Sequence, residues 1–158
     1  MLLNAIVLRL FAKEDFKHVQ KIYAEGLKTG IATFETEVPS WIDWNKKYIP
    51  SCRLVAELDG EILGFAVLSQ VSERDVYKGV AEVSIYILEA SRGKGLGKQL
   101  LSHLIELSEA KGFWTLHAGI FPENKASIAL HKSCDFRIVG IKEKIGKLRG
   151  KWLSLIHI

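Results

Sequence analysis

The stretch Ser91-Arg92-Gly93-Lys94-Gly95-Leu96-Gly97-Lys98 places three glycines and three cations directly before a leucine-rich run. Glycine gives up more chain freedom on folding than any other residue, so three in so short a span need a reason. One reason is close approach of the backbone to a ligand. A helix opening here would aim its first unbonded amides and the positive end of its dipole at that ligand, and Arg92, Lys94 and Lys98 add charge of the same sign. The chemistry that fits is the holding of an anion, such as a phosphate. A basic turn ahead of an amphipathic helix fits these residues equally well. Upstream, Glu82 interrupts the apolar run VAEVSIYIL. A carboxylate in partly apolar surroundings is suited to take a proton from an ammonium, directly or through water. The polar face of an edge strand would carry it too. Downstream, His131 can exchange a proton near neutral pH, or can simply pack inside a helix.

Two familiar nucleotide loops are excluded. A Walker loop requires Ser or Thr after Gly-Lys, but Gly97-Lys98 is followed by Gln99, and the first glycine would fall on Arg92. The Rossmann pattern would need glycine at Lys98 or at Leu100. ATP and NAD are therefore poor ligands for this loop.

The elements that must position these groups follow from periodicity. Residues 5–11 read as a strand, and Lys13 to Gly26 as a helix with Phe16, Val19, Ile22 and Tyr23 on one face. Residues 31–35 are ambiguous. Ser40 is set to cap a helix carrying Trp41, Trp44 and Tyr48, closed by Pro50-Ser51. Strands at 53–58 and 62–70 form a hairpin through Asp59-Gly60. After a polar loop, residues 80–88 form a strand with Val83, Ile85 and Ile87 on one face and Glu82, Ser84 and Tyr86 on the other. A helix from about 96 to 111 follows the glycine loop, then a strand at 114–120 and a helix at 124–132. A hairpin of 136–145 and 151–157 closes the chain around 146–150.

The 158 residues suit one domain with a real core. The net charge is +4, with the charges mixed along the chain instead of gathered in a basic tail, which argues against a nucleic-acid surface. The apolar start lacks a basic leader, Arg9 interrupts it, and no apolar run approaches the roughly 20 residues of a membrane span. Cys52 and Cys134 have no metal-ligand spacing, so the expectation is a cytoplasmic protein without a metal site.

The pattern R-x-x-G-x-G, met by Arg92, Gly95 and Gly97, resembles the pyrophosphate loop of the GNAT acetyltransferase superfamily. The strand VSIYI before it and the helix opened by Asn124 after it stand in the same order as in that superfamily. The stretches TGIATFE, RDVYKGVAEVSIYI, FPENKASIALH and KLRGKW further resemble its phosphinothricin and methionine-sulfoximine N-acetyltransferase branch. The resemblance implies a mixed, mostly antiparallel sheet flanked by about four helices, in a single α/β domain spanning 1–158. It implies a cytoplasmic homodimer that moves an acetyl group from acetyl-CoA to the α-amino group of an amino-acid-like compound, in a ternary complex.

Site residues follow by the same resemblance. Ile85, Tyr86 and Ile87 would meet the pantetheine arm. Arg92, Gly93, Lys94, Gly95, Leu96, Gly97 and Lys98 would hold the pyrophosphate, with Asn124, Ser127 and Ser133 along the arm. Glu82 would be the base. His131, where many members have tyrosine, would donate to the leaving thiolate or order a water. Thr33, Phe34, Glu35, Arg74 and Tyr77 would meet the acceptor, Arg74 clamping its acidic group. Cys134-Asp135-Phe136 departs from the family's Leu-Gly-Phe ending and loses the glycine of that turn.

Overall fold

The structure, a computed structural model, describes residues 5–158. The first four residues of the apolar start lie outside the described residues. Strand β1 (Val7–Leu10) leads into helix α1 (Phe16–Thr29). Asp15 joins the two: its carboxylate accepts from the Arg9 guanidinium at 2.8 and 2.9 Å and from the Ala12 amide at 2.8 Å. Val19, Ile22, Tyr23 and Gly26 form the buried stripe of α1 at helical spacing. The helix does not stop at Gly26. A Cβ there would lie 2.8 Å from the Tyr86 ring, so this glycine serves close packing inside the helix. Gly30, left-handed at φ 68°, ends it.

Ser40 caps α2 (Trp41–Lys47), accepting from the Asp43 amide at 3.2 Å. The chain then passes straight into β2 (Tyr48–Leu58). Pro50 is thus inside a strand and not a terminator. It sits in the irregular register between Tyr48 and Arg53, where its missing N–H breaks no ladder. The Asp59-Gly60 turn, with both φ positive at 51° and 82°, delivers β3 (Glu61–Gln70) as expected. Next come β4 (Val80–Ile87) and α3 (Leu96–Ala110), whose buried face is Leu96, Leu100, Leu101 and Leu104. The expected strand at 114–120 divides into β5 (Thr115–His117) and β6 (Gly119–Ile120). Helix α4 (Lys125–Ser133) is followed by β7 (Gly140–Leu148) and β8 (Lys151–His157). The last turn narrows to Arg149-Gly150, both with positive φ, so Gly146 lies in β7 and not in the turn.

The strands form two sheets, β1-β2-β3-β4-β5 and β6-β8-β7. Every pairing is antiparallel except β4 with β5. The runs Cys52–Ala56 and Ile62–Leu68 are buried on both faces because α1 and α3 cover opposite sides. Tyr86 of β4 packs on Tyr23 of α1, while Ile87 and Leu100 of α3 meet at Gly64. The result is the mixed, mostly antiparallel α/β fold with four α-helices among the described residues.

Candidate active site

The division at Ala118 creates the site. β4 and β5 pair only at Val80↔Thr115, Ala81↔Leu116 and Glu82↔His117. Ala118 then exchanges both backbone hydrogen bonds with Ile158, at 2.9 and 3.1 Å, and the chain leaves β4 for the second sheet. From Val83 to Ile87, β4 keeps β3 on one edge and, among the described residues, has no strand on the other. An open edge presents backbone donors and acceptors to any extended ligand with amide groups.

A cleft of about 450 Å³ runs along this edge to the glycine loop. Ile85, Tyr86, Ile87, Arg92, Gly93, Gly95, Gly97, Lys98, Asn124 and Ser127 all line it. Gly93 and Gly95 stand at φ 73° and 79°, a conformation that other residues adopt only under strain. Gly97 brings α3 against α4, where a Cβ would lie 3.1 Å from Leu130. Arg92 donates to the Ile87 carbonyl at 3.1 Å and Lys94 to the Ala90 carbonyl at 2.9 Å, so two of the three cations brace the loop. Asn124 has two roles here. Its Oδ1 accepts from the Ser127 amide at 3.2 Å as a helix cap, and its Nδ2 donates to the Ile31 carbonyl at 3.3 Å.

A second cavity, of about 280 Å³, adjoins the cleft, and the two share Ile31, Ala32, Ile85, Tyr86, Asn124 and Ser127. Glu82, Thr33, Phe34, Glu35 and His131 line it. Phe34 is wedged between Phe121, edge-on at 4.7 Å, and Gly146, where a Cβ would meet its ring at 2.7 Å. Tyr48 lies beside Ser84, and Tyr23 and Tyr86 lie beside Thr33; burial raises the pKa of all three phenols, which therefore stay protonated.

His131 is 2% exposed. Its Nδ1 lies 2.8 Å from the Ser127 carbonyl. A carbonyl only accepts, so Nδ1 carries the hydrogen and Nε2 the lone pair. Nε2 is buried without a partner, and burial lowers the pKa, favouring the neutral ring. In this tautomer Nε2 accepts, and it donates to a thiolate only after taking up a proton. Loss of the glycine after α4 does not disturb the histidine. Asp135 takes the left-handed position at φ 66°, and the His131 carbonyl accepts from Cys134 and Phe136 at 3.0 and 3.1 Å.

Residues 16–136 match the model of the acetyltransferase (GNAT) family. The chain belongs to this family. It is 35% identical over 116 residues to the L-methionine sulfoximine/L-methionine sulfone acetyltransferase of Pseudomonas aeruginosa, covering 73% of this chain and 67% of that one. It is 30% identical to a phosphinothricin N-acetyltransferase of Alcaligenes faecalis, covering 96% and 80%. A crystal structure of a GNAT phosphinothricin acetyltransferase from Sinorhizobium meliloti, in complex with acetyl-CoA, superposes with a TM-score of 0.86 at 32% identity, covering 96% and 85%.

In this acetyltransferase several expected residues stand apart from the site. Lys94 braces the loop and does not line the cleft. Leu96 is a core side chain, 2% exposed. Ser133 faces outward, its hydroxyl donating to the Leu130 carbonyl at 2.7 Å. Arg74 and Tyr77 stack on each other at 5.4 Å on the surface and line neither cavity of the single chain. A cation that does line the second cavity is Lys47, 3.9 Å from Glu35. Lys47, Tyr23, Tyr48, Ser84 and His157 were missed by sequence reasoning. Only Ser84 carried a signal there, alternating with Glu82 along β4. Among the described residues no group of His, Cys, Asp and Glu could hold a metal ion, and no helix is long and apolar enough to cross a membrane.

Proposed function

We propose that this acetyltransferase moves the acetyl group of acetyl-CoA to the α-amino group of a small amino-acid-like acceptor of the phosphinothricin, methionine sulfoximine or methionine sulfone type, by direct attack in a ternary complex. The observation that carries this reading is the junction of two cavities at Ile85, Tyr86, Asn124 and Ser127. The cleft fits the donor. Its glycine loop and Lys98 suit a pyrophosphate, and the open edge of β4 suits the amides of a pantetheine arm. The smaller cavity fits the acceptor. Glu82 takes a proton from the ammonium, the free amine attacks the thioester carbon, and backbone groups near Ile85 meet the developing oxyanion. His131 orders a water or takes a proton at Nε2. Lys47 meets the acceptor's carboxylate, with Glu35 as its resting partner.

A homodimer in the cytoplasm belongs to the same reading. Both cysteines are free thiols. A second acceptor class, cationic amines such as polyamines, is favoured by one observation. Glu35, Glu37 and Asp43 line an outer recess that shares Tyr23, Glu35, Lys47 and Tyr48 with the acceptor cavity.

Release of CoA thiol across a panel of amines tests the proposal. Turnover is expected with methionine sulfone, methionine sulfoximine or phosphinothricin. Turnover confined to polyamines would replace the acceptor class. Lys47→Met is expected to raise KM for the amino-acid acceptor about three- to tenfold, while leaving KM for the matching carboxamide unchanged. An equal rise for both would remove Lys47 as the carboxylate's partner.

A further inference from the structure

An ammonium that becomes an amide gives up two protons, and only one ends on the departing sulfur. The balance is R–NH3+ plus CH3CO–S–CoA giving R–NH–COCH3, CoA–SH and one H+. The N–C bond forms and the C–S bond breaks. The proton lodged on Glu82 must then reach solvent before the next turnover. Glu82 is half-buried in β4, within the acceptor cavity.

We infer that His157 is the exit for this proton, passing it from the acceptor cavity into a separate recess beyond the second sheet. The inference rests on the transferase reading above. That recess, of about 520 Å³, lies among α3, β5 and the segment after α4, with Phe113, Trp114, His117 and Arg137 in its wall. His157 is the one described residue that lines both this recess and the acceptor cavity. Its Nε2 is buried and has no hydrogen-bond partner among the described residues, a costly arrangement unless something in the site completes it.

The strand register sets no side chain directly opposite the imidazole. His157 stands opposite Gly119 of β6 and Gly140 of β7, so neither neighbouring strand sets a side chain beside it. A Cβ at Gly140 would meet nothing within 4 Å. Glu82 is in reach of the same wall, being paired in register with His117, which also lines the recess.

The charges around His157 come from every packed element. Burial, Lys142 of β7 and His117 of β5 lower its pKa, while Glu82 of β4 raises it. His131 and Lys47 stand on the cavity side, and Glu109, Asp135 and Arg137 on the recess side. A neutral imidazole takes a proton on one nitrogen and releases one from the other, which carries charge through a wall without opening it.

His157→Phe and His157→Gln test this in weakly buffered solution. Both are expected to lower kcat about tenfold, a modest share of what proton-transfer groups contribute, with KM for acetyl-CoA unchanged. Added imidazole is expected to restore most of the loss, and a bulky buffer of similar pKa is not. An undiminished kcat in both variants, or a loss that imidazole does not restore, overturns the exit. A wild-type protein that turns over no amine contradicts the transferase reading itself, and the exit with it.

Discussion

Glu82→Gln lowers kcat by about a hundredfold or more, the scale of a lost general base, and leaves acetyl-CoA affinity unchanged. Glutamine keeps the shape and the hydrogen-bonding capacity of the side chain but cannot accept the ammonium proton. Glu82 is held by two neighbours at once, Ser69 on β3 and His117 on β5. It is the last β4 residue still paired on both edges, so its backbone is anchored where the cleft begins. The donor contacts lie beyond it, from Ile85 to Ile87 and in the glycine loop, and the substitution touches none of them. Stopped-flow turnover alongside calorimetric titration of acetyl-CoA separates the two effects. Unchanged kcat would move the base to His131, which lines the same cavity.

Gly95→Val weakens acetyl-CoA binding about tenfold and destabilises the fold by about 1–2 kcal/mol, the cost of a left-handed backbone for a branched residue. Gly95 caps α3 at φ 79°. A Cβ there would meet nothing within 4 Å, so the penalty is conformational and not a clash. The loop relieves that strain by turning its amides away from the cleft. The melting temperature should fall by about 2–8 °C for a domain of this size. Full affinity in the variant would show that the phosphate is held elsewhere.

How much of this was legible in the sequence depends on whether the signal was local. Asp59-Gly60 announced its hairpin, and the leucine stripe of α3 announced its buried face, because both act over a few residues. The crowded glycines announced an unusual backbone, and Gly93 and Gly95 stand at positive φ. Long-range features were not readable. Gly26 looks like a helix stop until the Tyr86 ring, brought from β4, explains it. Pro50 looks like a breaker until the irregular register of β2 removes the need for its N–H. The division of the 114–120 strand at Ala118 depends on Ile158, the last residue of the chain, and that division opens the cleft. The acceptor side suffered most. Arg74 and Tyr77 satisfied the motif but stack on the surface, while Lys47, Tyr48 and His157 reach the cavity from a helix end and two strands far apart in sequence. The tautomer of His131 follows from one carbonyl contact, which no sequence pattern records.

Acetyl-CoA is expected to lie along the open edge of β4 with its phosphates in the glycine loop. Hydrogen–deuterium exchange with and without acetyl-CoA tests it most directly. Slowed exchange is predicted at the amides of residues 85–87 and 93–98, with no change in the recess lined by Phe113 and Trp114. Protection confined to that recess, or none between Ile85 and Lys98, would contradict the account.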